Sequence, residues 1–154
     1  MIRLLTFLVL NFGALYIGAL LMGGSPAENE WYQSLDKAPW TPPGWMFGVA
    51  WTIIMICFSI YMSELSVRYS GKKLQLLTLL FSVQWVFNVS WNLIFFNFHL
   101  SLFGLIILLI LIFLLLVIHF NFANARRVFI ITLLPYLIWL SVAVSMNFYI
   151  LIRN

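Results

Sequence analysis

Charged residues cut the chain into long apolar intervals. No Asp, Glu, Lys or Arg stands between Arg3 and Glu28, between Lys37 and Glu64, between Lys73 and Arg126, or between Arg127 and Arg153. A helix needs about 20 apolar residues, at about 1.5 Å rise each, to cross the hydrocarbon of a bilayer. The first, second and fourth intervals each hold one such span. The third is too long for one and long enough for two, and its polar cluster Asn97-Phe98-His99-Leu100-Ser101 marks the break. The pattern predicts an all-α membrane protein, a bundle of five transmembrane helices near residues 3–22, 45–66, 74–97, 102–122 and 128–152, within a single domain over 1–154. The runs are continuously apolar and lack the ten-residue alternation of a membrane barrel. The first run is longer than the about 7–15 residues of a signal-peptide core, so it is read as a span.

The connections are short except the first. Residues 23–44 hold Trp31, Tyr32 and Trp40, together with Pro39, Pro42 and Pro43, which stiffen the backbone and prevent a regular helix there. Long loops in compact folds tend to carry function. Two readings stand: an aromatic belt that anchors the bundle at the interface, or a lid over its outer mouth.

Composition narrows the class. The chain is 64% hydrophobic and 8% charged, against about 25% charged in a soluble domain, so lipid must cover much of the surface. The net charge of +4 is scattered and gives no basic stripe for nucleic acid. The single Cys57 allows no internal disulfide and no multi-cysteine metal site. Its place in an apolar run suits a small packing residue.

Five spans put the termini on opposite faces. Arg3, Arg68, Lys72, Lys73, Arg126 and Arg127 gather on the N-terminal side. Lys37 and Arg153 stand on the other with Glu28, Glu30 and Asp36. If this is a bacterial inner-membrane protein, the positive-inside rule puts the N-terminus in the cytoplasm and the first loop outside.

The spans carry no Asp, Lys or Arg at depth, and Glu64 falls near an inner helix end. Ion-coupled pumps need an intramembrane ionisable group, so active ion-coupled transport is disfavoured. No His/Glu cluster suggests a metal. His99 and His119 are read as solvated or interfacial residues, with haem ligation as the alternative. What the spans do carry is aromatic and amide side chains at helical spacing. In the third, Gln84, Asn88, Trp91, Asn92 and Phe95 share one face. Tyr136, Trp139, Ala143 and Asn147 share a face of the fifth, and Phe47, Trp51, Met55 and Phe58 one of the second. Ala14 and Gly18 give the first a small-xxx-small spacing that allows close approach. Amides inside a membrane must find partners, so these faces point into the bundle. Periodicity alone leaves open whether they glue helices together or line a cavity for a flat, largely apolar ligand. Pro135 removes one backbone hydrogen bond inside the fifth span and is expected to kink it.

At these residues the chain resembles the TspO/MBR family, which includes bacterial tryptophan-rich sensory proteins and the mitochondrial translocator protein, or peripheral-type benzodiazepine receptor. The likeness runs through Trp31-Tyr32-x-x-Leu35-x-Lys37-x-Pro39-Trp40-x-Pro42-Pro43-Gly44, then Phe47-Gly48-x-x-Trp51-Thr52. It continues in Gln84-x-x-x-Asn88-x-x-Trp91-Asn92-x-x-Phe95-Phe96 and Pro135-Tyr136-x-x-Trp139-x-x-x-Ala143-x-x-x-Asn147. Met146 departs from a frequent family Leu, conservatively. The first and fourth spans match only in length and hydrophobicity, so no site residue is carried onto them.

The resemblance implies a pocket under the first loop, with pocket roles at Tyr32, Trp51, Asn88, Trp91, Trp139, Ala143 and Asn147; Pro42, Gln84, Asn92, Phe95 and Tyr136, within the same motifs, complete the candidate ligand-binding set. Family members bind porphyrins such as protoporphyrin IX and haem, synthetic benzodiazepine-type ligands and, in some members, sterols; many form homodimers. A loose counterpart of the family's sterol motif is Val144, Tyr149 and Arg153, although Arg153 is expected to snorkel to the surface. No cofactor is expected to be required, the porphyrin being ligand or substrate. Three functions follow as expectations: a porphyrin receptor, sensor or carrier; an enzyme of light- and oxygen-dependent protoporphyrin IX breakdown, with Trp51 and Trp139 as candidate catalytic residues; and a sterol- or lipid-binding or structural membrane protein.

The orientation can be tested in intact bacterial cells on a Cys57→Ala background. A cysteine placed at Ser34 is expected to react with an impermeant thiol reagent, and one placed at Ser70 to be protected. The reverse pattern would invert the topology.

Overall fold

The computed structural model describes residues 1–123 and 127–154. Arg126, counted above among the positive charges, lies outside the described residues, as does the side chain of Arg127. Among the described residues, five helices are long and apolar enough to cross a membrane. They are α1 (Ile2–Met22), α3 (Gly44–Arg68), α4 (Gly71–Asn92), α5 (Ser101–Phe122) and α6 (Arg127–Arg153); a short α2 (Glu30–Ser34) lies in the first loop. Around the bundle the neighbours run α1, α3, α6, α5, α4 and back to α1.

Each helix end has a local cause. α1 stops at Gly23, whose φ of 83° is the left-handed conformation a residue with a Cβ adopts only at a cost. Gly24 N–H then reaches back to the Ala19 carbonyl at 3.0 Å, closing the turn. α3 starts after Pro43, which is extended and lacks an N–H to leave unpaired. α2 contradicts the expectation of an irregular first loop. Asn29 caps it, its side chain accepting from Tyr32 N–H at 2.8 Å, and the helix ends before the prolines begin.

α4 passes into a π-helical stretch, Leu93–Asn97. There Phe98 N–H bonds to the Leu93 carbonyl, five residues back, at 2.9 Å. Adjacent Phe95 and Phe96 both lie inside in this turn, each 2% exposed. α6 runs unbroken past Pro135.

The interior has two layers. Towards the ends of α1 and α4 that carry Arg3 and Gly71 lies a packed core built on Phe58, Tyr61, Met62, Leu65, Leu115, Phe129 and Tyr136. Between lipid-covered helices, association rests on close packing and internal hydrogen bonds rather than on escape from water. Asn11 Nδ2 donates to Ser59 Oγ at 2.8 Å, and Gln84 Nε2 to the Tyr136 hydroxyl at 2.7 Å. Trp85 Nε1 donates to the Leu10 carbonyl at 2.8 Å and fastens α4 to α1. At the opposite end the packing opens into a cavity.

Two glycines let helices meet there. A Cβ on Gly18 of α1 would lie 2.6 Å from Asn92 Nδ2, and one on Gly104 of α5 would lie 3.0 Å from Asn147 Nδ2 and 3.1 Å from Phe95 Cδ2. Gly104 is thus where α4, α5 and α6 converge. Replacing it by Val must displace both neighbours, and overpacking of this kind costs about 1–3 kcal/mol. Gly104→Val is expected to lower the melting temperature in detergent, whereas Gly13→Val, where a Cβ meets nothing within 4 Å, should change it far less. Equal losses at the two positions would show that close approach at Gly104 is not what its lack of a side chain provides.

A lidded aromatic cavity

The cavity has a volume of about 360 Å³ and lies beneath the first loop, between the C-terminal halves of α1, α4 and α6 and the N-terminal half of α3. Its wall is mostly ring and methyl surface. Phe47, Trp51 and Met55 come from one face of α3, Trp91 and Phe95 from α4 and its π-helical continuation, and Trp139, Ala143 and Met146 from α6.

The rings hold one another in place. Trp91 stacks on Phe95 with centroids 5.1 Å apart and planes 6° from parallel, and Phe96 meets Phe95 edge-on at 4.9 Å. Phe47 stands edge-on to Trp139 at 5.3 Å, and Trp51 to Tyr136 at 5.8 Å. Each such pair adds about 0.5–1.5 kcal/mol beyond the area it buries, so the walls are preformed.

Polar atoms on this wall are few and incompletely paired. Trp91 Nε1 and both side-chain polar atoms of Asn147 are buried without a hydrogen-bond partner. A buried unpaired group costs about 1–3 kcal/mol, and all three sit on residues that line one cavity. Asn92, by contrast, bonds back to the Asn88 carbonyl at 3.3 Å.

The first loop forms the roof. Gly24, Ser25, Pro26 and the buried ring of Tyr32 close the top. Burial raises the Tyr32 phenol above its ordinary value near 10, which keeps the hydroxyl neutral. Ser25 donates from both N–H and Oγ to the Glu28 carboxylate, at 2.9 and 2.8 Å, and holds its pKa below the usual value. The loop is tied to the helices at several points. Asn29 Nδ2 lies 3.4 Å from the carbonyls of Met22 and Phe96. Trp31 stacks on His99 at 4.3 Å, and Trp40 Nε1 donates to Ser145 Oγ at 3.1 Å. Arg153, exposed at the end of α6, donates from Nε to Asp36 Oδ2 at 3.1 Å and so also ties the loop to that helix. His119 Nδ1 faces the Tyr61 hydroxyl at 3.4 Å, at the far end of the bundle from the cavity.

Of the candidate pocket residues, Tyr32, Trp51, Asn88, Trp91, Asn92, Phe95, Trp139, Ala143 and Asn147 come together on the wall. Pro42, Gln84 and Tyr136 do not. Pro42 precedes the start of α3, where Gly44 and Trp45 take the wall position. Gln84 and Tyr136 share the right helix faces but sit deeper, bonded to each other beneath Trp51, and form the floor's support. Sequence reasoning left out α1, which contributes Ala14, Leu15, Ala19 and Met22, and α5, which contributes Leu108. The small residues of α1 carried the signal, since the spacing that permits close packing also leaves room beside it.

Comparison with known proteins gives one consistent answer. The family model of the TspO/MBR family matches residues 6–153. The chain is 31% identical over 149 residues to the tryptophan-rich protein TspO of Chlorobaculum tepidum, covering 92% of this chain and 94% of that one. It is 31% identical over 141 residues to the protein CrtK of Rhodobacter capsulatus, covering 89% and 88%. It is 28% identical over 143 residues to a tryptophan-rich sensory protein of Cereibacter sphaeroides, covering 88% of each chain.

The roof's attachment can be loosened without touching the wall. Asn29→Ala removes the cap of α2 and the bonds to Met22 and Phe96, and loss of such a cap costs about 1 kcal/mol. Amide hydrogen exchange across residues 25–35 is expected to quicken several-fold while the transmembrane helices keep their protection. Unchanged exchange in the loop would mean the ring contacts alone hold it.

Proposed function

Since the chain belongs to the TspO/MBR family and is an integral multi-pass membrane protein, we propose that it is a receptor, sensor or carrier for porphyrins such as protoporphyrin IX and haem and that, in a bacterial inner membrane, its first loop lies outside and its N-terminus in the cytoplasm. The observation that supports this reading best is the lidded cavity, in which indole and phenyl rings surround the unpartnered Trp91 Nε1 and Asn147 amide. A flat tetrapyrrole offers large apolar faces to such rings and peripheral polar groups to the amide. A volume of about 360 Å³ falls in the range of about 300–1,000 Å³ that small-molecule sites occupy. Planar synthetic ligands fit the same description.

Ala143 faces the cavity from α6 between Trp139 and Asn147. In a titration of the purified protein with protoporphyrin IX in the dark, Ala143→Phe is expected to weaken binding by about tenfold or more, equivalent to about 1.4 kcal/mol, with little change in melting temperature. An unchanged affinity would place the ligand elsewhere, and a parent protein that binds no porphyrin would turn the reading towards a lipid or structural role.

A second reading rests on Trp51 and Trp139, two oxidisable indoles from different helices on the wall of one cavity. Packed against an illuminated porphyrin, either can lend it an electron; molecular oxygen adds to the reduced macrocycle, the indole radical cation takes its electron back from that adduct, and the net change is addition of one O2 with cleavage of a ring carbon–carbon bond. The macrocycle carries the difficult chemistry while the protein fixes geometry. Trp51→Phe and Trp139→Phe are expected to keep dark binding and lose most of the light-dependent decline in porphyrin absorbance. Decay at the parent's rate in both variants would remove these indoles as the electron source. Decay in the parent no faster than that of free porphyrin in detergent would leave binding as the function.

A further inference from the structure

We infer that a groove on the opposite half of the bundle is a seat for one anionic phospholipid of the leaflet on the Arg3 side. The groove, about 580 Å³ in volume, runs between α1 and α4, with Ser66 of α3 beside Arg3 at one end. It shares no lining residue with the lidded cavity.

Three observations carry the assignment. The first is the lining. Phe7 and Phe81 meet edge-on at 5.0 Å along the floor. Thr78 and Ser82 return their hydroxyls to their own helix, on the Leu74 and Thr78 carbonyls at 2.9 Å each. Trp85 likewise spends its N–H on Leu10. The wall asks for no polar partner, which suits an acyl chain and not a polar ligand. The second is length. The lining of α4 runs from Leu74 to Val86, about 18 Å at 1.5 Å per residue, close to the about 15 Å depth of one leaflet's hydrocarbon. The third is charge. Arg3 lines the mouth, with one arm of its guanidinium donating to the Ser66 carbonyl. Arg68, Lys72 and Lys73 stand at the same end, and the one acid there, Glu64, faces Arg68 at 3.9 Å. A basic mouth above an apolar, leaflet-deep groove is complementary to a negative headgroup and its chain.

Native mass spectrometry of the purified protein, with dioleoylphosphatidylglycerol or dioleoylphosphatidylcholine added at equal concentration, tests this. The parent is expected to retain the anionic lipid about fivefold more than the zwitterionic one, the effect of one well-placed basic side chain. Arg3→Gln should abolish the preference. Ser82→Trp, which fills the groove from an exposed position, should abolish retention of both lipids, and thermal melting of each variant confirms the fold. Inorganic phosphate should neither bind nor displace lipid. Equal retention of the two lipids by the parent, a preference that survives Arg3→Gln, or an adduct undiminished in Ser82→Trp would each overturn the assignment. So would displacement by phosphate, or a lipid-free dimer that Ser82→Trp splits, since the groove would then belong to a second copy of the chain.

Discussion

Inside a bilayer a polar group has no water to fall back on, and that constraint organises this molecule. Hydroxyls on the outer faces return to their own helices, as Ser141 does to Leu137 at 2.8 Å. Polar side chains on inner faces pair between helices, as Asn11 does with Ser59 and Gln84 with Tyr136. Against that background the unpaired atoms on Trp91 and Asn147 stand out. Of the four unpaired atoms among the described residues, three lie on the cavity wall, and the fourth, Gln84 Oε1, lies just beneath it.

The same constraint separates the two halves of the bundle. In one, Phe58, Tyr61 and their neighbours fill the interior, so the helices are held as a rigid frame. In the other, rings pack against rings around a space, and the first loop covers it. The roof needs no large core of its own. It is held by a capped turn, two stacked or hydrogen-bonded aromatics and the Asp36–Arg153 pair, ties that can break singly while the frame stays intact.

The fold was legible because its signal is coarse. Charge-free intervals long enough to span a bilayer announce helices whatever their detailed contacts. The faces of α3, α4 and α6 were legible too, because amides and indoles repeat at helical spacing. Depth along a face was not. Gln84 and Trp91 share a stripe of α4 but are about 10 Å apart along the axis, so one supports the floor and the other lines the wall. α2 escaped notice because the nearby prolines suggested an irregular loop, although Asn29 signals a cap. The part of α1 in the wall left no chemical mark, since Ala14, Ala19 and Met22 contribute space rather than functional groups.

The π-helical turn at Leu93–Asn97 makes the chain's length there a structural variable in its own right. In an ordinary α-helix adjacent side chains diverge by about 100°, and the wide turn resets the direction of every side chain that follows it. The wide turn is equivalent to one inserted residue absorbed by the helix. Removing a single residue from this stretch would let regular helix re-form and would rotate the residues after it by about 100°. It would also swing His99 out of register with Trp31. Tolerance of amino-acid exchange and tolerance of deletion therefore part company at this turn: the side chains can vary within their size class, but the number of residues cannot.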